Sequence, residues 1–310
     1  MLPPSRDLVL VTGAGGFVGR RLLPALLSAG YLVRAFGRRP LPEGMRAAGL
    51  DERRGDLTDA RSLADAVSGA TAVFHLAALL GDAAGDAALH AVNVEGTRAL
   101  ARAARAAGVE IFIHVSSAGV YGDGAGEAPR SESAPLRPGT RYERSKLKAE
   151  VALRDELTDS KVAWAMFRPG GIYGADRPES LAFVRTVRRR RVWWHGPTRV
   201  LLHPTHVDDV IAALLRARTR AAEVSGTVFN IAGERPVDFR DWVDAIAARI
   251  GRRPLHIRLP RVRVINRSLD TTLARQRLGW EPISMARGLD ELMGGEGARH
   301  DPISTVSSAI

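Results

Sequence analysis

Residues 8–19, LVLVTGAGGFVG, constrain the fold more than any other stretch of the chain. A run of apolar, β-favouring residues passes straight into a glycine-rich turn, and an amphipathic run follows. That pattern reads as strand, tight turn and helix. Gly13, Gly16 and Gly19 are spaced three apart, with Gly15 inside the turn. In such a turn the first glycine permits the change of direction and the second lets the backbone approach a pyrophosphate. The third lets the helix pack closely on the strand. The helix that opens at Phe17 and Val18 offers free N–H groups and the positive end of its dipole to the same anion.

The rest of the chain continues the alternation. A helix over 17–29 ends at Gly30, with Pro24 inside it at the loss of one backbone hydrogen bond. Strands are expected at 31–36, in a segment leading to 55–57, and at 72–76, 111–116 and 162–167. Helices are expected at 62–67, at 93–107 (stopped by Gly108) and at 142–157. This spacing implies an α/β fold: a Rossmann-type, doubly wound parallel sheet with helices on both faces, binding ligands at the carboxyl ends of its strands. After Arg168 the regularity weakens. Helical pieces at 180–190, 207–218, 239–250 and 271–278 mix with short strands at 200–202 and 228–231. The expected organisation is a dinucleotide-binding domain over 1–168 and a smaller substrate-binding lobe over 169–293. That lobe returns strands to the main sheet, and a loose tail occupies 294–310.

Composition excludes several classes. There is no cysteine, so disulfides, thiolate catalysis and zinc–sulfur sites are absent. The eight histidines are scattered; His203 and His206 read as loop and strand residues without a carboxylate-rich neighbourhood, so no metal is expected. No apolar run approaches the ~20 residues of a membrane helix. The start of the chain does not read as a secretory signal, which makes a cytoplasmic location the default expectation. The net charge of +11, carried mostly by arginine, fits either a solvated Arg-rich surface or a field that attracts anionic ligands.

Tyr142 and Lys146 stand four apart, one turn apart on one helix face. An ammonium there stabilises the phenolate and brings a tyrosine down from its ordinary value of ~10. Beside an oxidised nicotinamide, Tyr142 moves a proton to or from a substrate oxygen while a hydride moves. Ser116 and Ser117 end the strand at 111–116, where a hydroxyl holds the substrate oxygen beside the phenol. Each feature alone also fits a structural role, as a surface helix pair or a strand-end cap.

Taken together, these residues resemble the extended short-chain dehydrogenase/reductase family, of the nucleotide-sugar epimerase and dehydratase type. The motifs run in order over nearly the whole chain: TGAGGFVG, HLAA, NVEGT, HVSSAGVYG, YERSK, RPGGIYG, HPTHVDDV and LGWEP. The resemblance implies that Ser117, four before Tyr121, is the catalytic hydroxyl, that Tyr142 is the acid/base, and that Lys146 lowers its pKa and holds the nicotinamide ribose. It implies that Asp56 and Leu57 flank the adenine, that Leu76, Ala77 and Ala78 line the cofactor, and that Asn93 is a support. Ser116, Pro169, Gly170, Gly171 and Ile172 are expected near the nicotinamide, and Tyr173 near the substrate. His75 reads as a packed strand-end residue. A homodimer through the helices of Asn93 and Tyr142 is implied as well. The basic run Arg185 and Arg188 to Arg191, beside Trp193 and Trp194, has the look of a single-strand nucleic-acid surface. It falls where the family has an ordinary substrate-lobe helix, so no nucleic-acid partner is expected.

An NAD site usually carries an acid at the end of the second strand. Here Gly37 is followed by Arg38 and Arg39, which attract a 2′-phosphate, so NADP(H) is expected over NAD(H). Dehydratases and decarboxylases of the family resemble one another in acidic residues after the catalytic hydroxyl. Ala118 and Gly119 stand there instead, which disfavours both reactions and leaves reduction, oxidation or epimerisation. The first substrate reading is a nucleotide-linked sugar. Members that take one tend to hold its diphosphate with an arginine four before the His-Val-x-Asp run, where this chain has Leu202. Arg199 is the expected substitute, with Arg261, Arg263 or Arg267 as others. The second reading is an apolar ring ketone. The short segment between HLAA and Asn93 is similar to that of dihydroflavonol reductases and 3β-hydroxysteroid dehydrogenases, and Trp193 and Trp194 are placed to wall a pocket. A cofactor-sensing protein without activity is disfavoured, because members of that kind lack the Tyr or the Lys.

Overall fold

A computed structural model describes residues 7–124, 128–189, 191–195, 200–259 and 266–294. The first half runs β1 (Leu8–Thr12), α1 (Phe17–Ser28), β2 (Leu32–Gly37), β3 (Leu50–Arg54), α2 (Ala60–Val67) and β4 (Ala72–His75). A one-turn helix α3 (Asp86–Leu89) leads through a wide i→i+5 turn at His90–Glu95 into α4 (Gly96–Ala107), then β5 (Ile111–Val115), α5 (Arg141–Leu157) and β6 (Ala163–Pro169). Next come β7 (Gly171–Tyr173), α6 (Pro178–Arg188), β8 (Arg191–His195), β9 (Leu201–Leu202), β10 (Pro204–His206), α7 (Val207–Thr219) and α8 (Ala221–Val224). The last elements are β11 (Thr227–Ile231), β12 (Val237–Asp238), α9 (Phe239–Arg249), β13 (Leu255–Leu259), α10 (Thr272–Leu278) and α11 (Met285–Gly294).

Seven parallel strands form the main sheet in the order β11-β6-β5-β4-β1-β2-β3. The central strands are apolar on both sides because both faces are covered. Val9 and Val11 of β1 face α1 and α7, where Leu22, Leu23, Leu26, Val210 and Leu214 pack. Leu10 faces the other layer, Leu63 of α2, Leu100 of α4 and Leu153 of α5. The charged strand LDERR takes the edge, where none of its residues is fully buried and the last two are exposed. The chain lays strands outward from β1 to β3, then reverses and lays β4 to β11 on the other side. The reversal puts the crevice at the carboxyl ends of β1 and β4.

The boundary at 168 is not a clean one. Of the segments after it, α7, β11 and α10 belong to the main core, and Trp280 is fully buried there with its indole N–H donating to the Asp209 carbonyl at 2.9 Å. A single strand, β11, returns to the main sheet. The lobe itself is built on Tyr173, Val184, Val187, Trp242, Val243, Ile246, Leu289 and Leu292. Its two- to five-residue strand pairs β7/β10, β9/β12 and β8/β13 are too short to show a period in sequence. Helix α11 was not expected, and the helix expected from Asn93 starts earlier, at Asp86.

Candidate active site

Four glycines make the cradle at the reversal point. Gly13 has φ +72°, and a Cβ there would stand 2.6 Å from the Ala77 nitrogen. A Cβ on Gly19 would stand 2.4 Å from the Gly13 carbonyl oxygen. Gly15 and Gly16 are exposed, and nothing lies within 4 Å of a Cβ built on Gly15. The turn is therefore crowded beneath and open above. Gly16 caps α1 without a side chain, so no side chain of its own cap claims the first-turn N–H groups beginning at Phe17 and Val18. These features fit a dinucleotide pyrophosphate. Leu76, Ala77 and Ala78, half-buried, follow β4 under the turn, with Leu76 N donating to Thr12 O at 3.2 Å. Leu57 is buried against Gly96. The Asp56 carboxylate accepts from Thr58 N and Oγ1 at 2.9 Å each, and the Thr58 N–H in particular holds its pKa down. Arg38 and Arg39 are exposed at the end of β2, Arg38 lying 3.9 Å from Asp56.

The three residues expected to carry chemistry lie on elements that meet at the carboxyl end of β5. Ser117 follows the strand and its Oγ accepts from Gly119 N at 3.0 Å, which leaves its own O–H to donate. Tyr142 opens α5, whose start is fixed by a capping box between Thr140 and Glu143. The loop after β4 reaches over to the same turn, where Asp82 Oδ1 accepts from Tyr142 N at 2.8 Å. Asn93 braces this loop: its side chain exchanges hydrogen bonds with both backbone groups of Leu79 and donates to Ser145 Oγ at 2.9 Å.

One expectation needs correction. The Tyr142 phenol is not brought down by Lys146; burial pushes it up to about 12, against a lowering by the Arg177 charge. The reason is that Lys146 Nζ turns inward and donates to the Val115 carbonyl at 2.8 Å. No hydrogen bond among the described residues joins the phenol to Ser117 or Lys146. The Ser116 hydroxyl is engaged within the protein: its Oγ donates to Glu150 Oε1 at 2.6 Å. Glu150 and Arg168, both almost wholly buried, form a two-bond ion pair of 2.6 and 2.9 Å. Burial works against the Arg168 charge, and the Glu150 pair outweighs it and holds the guanidinium above its ordinary value. Arg168 also donates to Tyr121 Oη at 2.9 Å, and Tyr121 donates to Asn230 Oδ1 at 2.8 Å.

Pro169 is buried, Gly170 and Ile172 are half-buried and Gly171 is exposed, so this stretch forms the far lip of the crevice. Tyr173 is packed, with its ring edge-on to His206 and Trp242, and it reaches the site only as part of an apolar hollow. Arg199, Arg261 and Arg263 lie outside the described residues. Arg267 bonds Asp123 at 3.0 Å and Glu143 at 3.3 Å, beside the start of α5. His75 is packed as expected, fully buried between Thr12 and Thr97. The neighbourhood of His206 is carboxylate-rich after all. His206, Asp208 and Glu291 bring ligand atoms within 4.8 Å of one another. Arg21 already pairs Glu291 at 2.8 Å and Asp176 at 3.0 Å, and His206 Nδ1 accepts from Asp208 N at 3.3 Å. These contacts tie α1, α7 and α11 together. Arg177 carried no motif signal: it stacks over Phe17 at 5.7 Å and bonds the Ile172 carbonyl.

Burial lowers Lys146 to about 8, with Glu150 acting the other way. An ammonium whose folded pKa lies below its unfolded one destabilises the fold below about 8 and stops doing so as pH rises towards its ordinary value of 10.5. Wild type should therefore gain stability between those limits relative to Lys146→Met. Urea denaturation at pH 7 and pH 10 checks this; a gap that does not change with pH would count against it.

Residues 9–232 match the sequence model of the NAD dependent epimerase/dehydratase family. A ketoreductase of Stigmatella aurantiaca that acts on 4-hydroxy-2-methyl-3-oxo-4-farnesyl-3,4-dihydroquinoline-1-oxide is 32% identical over 254 residues, 79% of this chain and 75% of its own. The UDP-glucose 4-epimerase of Mycolicibacterium smegmatis is 33% identical over 316 residues, 90% of this chain and 95% of its own. The structure of MoeE5 with UDP-glucose and NAD superposes with a TM-score of 0.80 at 32% identity, covering 94% of this chain and 98% of that one. Among the described residues no helix is long and apolar enough to cross a membrane. Motifs, parallel sheet and matches agree: the chain belongs to the NAD dependent epimerase/dehydratase family, within the extended short-chain dehydrogenase/reductases.

Proposed function

We propose that the protein oxidises, reduces or epimerises a hydroxyl- or keto-bearing carbon of a nucleotide-linked sugar. The observation that carries the chemistry is that Ser117 follows β5, that Lys146 donates to the last residue of β5, and that the first turn of α5, which carries Tyr142, packs on Gly119. The bound nicotinamide supplies the hydride acceptor or donor. Ser117 donates its O–H to the substrate oxygen, and Tyr142 takes or gives the proton on that oxygen. Arg177 supplies positive charge to the phenol, and Lys146, held on the Val115 carbonyl, keeps an ammonium at the end of β5. Support for the sugar comes from the likeness to MoeE5 and to the mycolicibacterial epimerase, which runs through the small lobe as well as the sheet. Arg267, which pairs with Glu143 in the first turn of α5 and whose backbone N–H donates to the Leu201 carbonyl, is our candidate for the role of the missing arginine at Leu202. Loss of water is not expected as part of the reaction. Ala118 and Gly119 carry no acid, and Glu143, which packs on Gly119, is held by Gly139 N, Thr140 N and Arg267.

A second reading rests on a hollow of about 190 Å³ lined by Ile172, Tyr173, Phe183, Trp242 and Leu292. Arg177 stands at its rim, so the hollow and the phenol share a neighbour. Such a lining suits an apolar ketone, as does Leu202. Thermal-shift titration separates the two. Stabilisation by UDP-glucose or dTDP-glucose supports the sugar; no shift, with ketone-dependent oxidation of NADPH, overturns it.

For the cofactor we propose NADP(H). Arg39 and Arg53 border a small hollow beside Gly15 and Gly37, facing one carboxylate, Glu52, which already accepts from Leu41 N at 3.0 Å. Arg39→Ala should raise KM for NADPH several-fold and leave that for NADH nearly unchanged. Equal or better use of NADH by wild type would sink the preference.

A further inference from the structure

Two fully buried histidines stand behind Lys146 as register partners on β4 and β5, His75 and His114, with ring centroids 5.0 Å apart. The hydrogen positions of His75 follow from its neighbours. Thr97 Oγ1 donates to the Asn93 carbonyl at 2.6 Å, so towards His75 Nε2, 2.9 Å away, it accepts. Nε2 therefore carries the proton, and Nδ1 accepts from Thr12 Oγ1 at 2.7 Å. His75 is neutral and has no polar atom left for His114.

On its other side His114 places Nε2 3.4 Å from Lys146 Nζ. An ammonium only donates, so Nε2 is the acceptor and the His114 proton sits on Nδ1. Nδ1 is buried without a hydrogen-bond partner. An apolar side chain of similar size would avoid that orphan. The fold tolerates it at the one position that puts an acceptor behind the ammonium. Lysine is scarce here as well: Lys146, Lys148 and Lys161 are the only three in a chain with 45 Lys and Arg together. Lys148 and Lys161 are exposed.

We propose that His114 is a positioning residue for Lys146. With the Val115 carbonyl it engages two of the three ammonium hydrogens from the β5 side. The other charged groups around Lys146 do not replace it. Glu150, one turn further along α5, is bound by Arg168 and Ser116, and His75 is neutral. Burial favours the neutral amine, and the two acceptors oppose it, so removal of one should lower the Lys146 titration midpoint.

The inference rests on Lys146 being the cation of the proposed site, and the test separates the two. Lysine labelled with ¹³C at Cε gives three resonances, and Lys146→Met identifies that of Lys146. In His114→Phe the Lys146 midpoint should fall by about one pH unit. In His114→Gln, whose amide oxygen reaches the position of Nε2, it should return to within a few tenths of wild type. His114→Leu is read in place of the Phe variant if circular dichroism shows that the larger ring is not accommodated. An unchanged midpoint in the apolar variant overturns the proposal, and so does a fall that Gln does not reverse. Adding NAD⁺ to wild type reads the site itself. A Lys146 resonance that ignores the cofactor, with the variant shift present, overturns the site assignment and leaves the His114–Lys146 contact standing.

Discussion

Tyr142→Phe is expected to lower turnover by about 10²–10⁴-fold, the range a positioned acid/base contributes, while cofactor affinity stays near wild type. The variant removes one oxygen and little else. The start of α5 is held by Thr140, Glu143 and Asp82, none of which contacts the phenol oxygen through a hydrogen bond. With burial holding the phenol at about 12, Tyr142 enters reduction as the protonated form and is a ready donor. Oxidation needs the phenolate, so its rate should climb with pH until the phenol is titrated in the complex. The cation that already acts on the phenol is Arg177, so Arg177→Met should move that alkaline limb upward. Rates with UDP-glucose, or with a ketone and NADPH, measured across pH check both variants. Tyr142→Phe with near-normal turnover would falsify the assigned role.

Arg168→Met should destabilise the protein by about 3–5 kcal/mol, because it strands a fully buried carboxylate without its cation. Glu150 would keep only the Ser116 hydroxyl as a donor. The damage should extend along the network, since Tyr121 loses the guanidinium and Asn230 is held partly through Tyr121. The double change Glu150→Leu/Arg168→Met removes both charges and should recover much of the loss. Urea midpoints of the wild type, both single variants and the double variant form the cycle. Simple additivity of the two single losses would show that the pair is not coupled. The cost should reach the site as well, because this pair anchors β6 and α5 to each other immediately behind Ser116.

Much of this arrangement was legible in the chain. Gly13 and Gly19 read as the turn and the close helix approach, and a Cβ at either would clash; Tyr142 and Lys146 read as one helix, which is α5, and Ser117 as the residue that follows β5. The partners of those residues were not legible. Ser116 looked like a cofactor contact, yet it faces Glu150. Lys146 looked like the neighbour of the phenol, yet its nearest acceptors are a carbonyl and a histidine of β5. Arg177 and Glu291 gave no periodic or motif signal, and the motif that holds His206 and Asp208 did not show that Glu291 joins them. The segments after Arg168 read as a lobe that returns strands to the main sheet, as β11 does, but no local signal marked α7 and α10 as packing on that sheet too.

The sequence by itself determined the parallel sheet, its reversal point and the positions of the chemical groups along it. These follow from glycine spacing, from short continuous apolar runs and from their alternation with amphipathic helical stretches, which each segment carries locally. Tertiary structure alone decided which group each side chain answers to and how far burial moves its charge. Those depend on atoms far apart in the chain, such as Tyr121 and Asn230, 109 positions from each other. Desolvation and hydrogen-bond pairing arise only when such segments meet, and no local pattern of residue types encodes them.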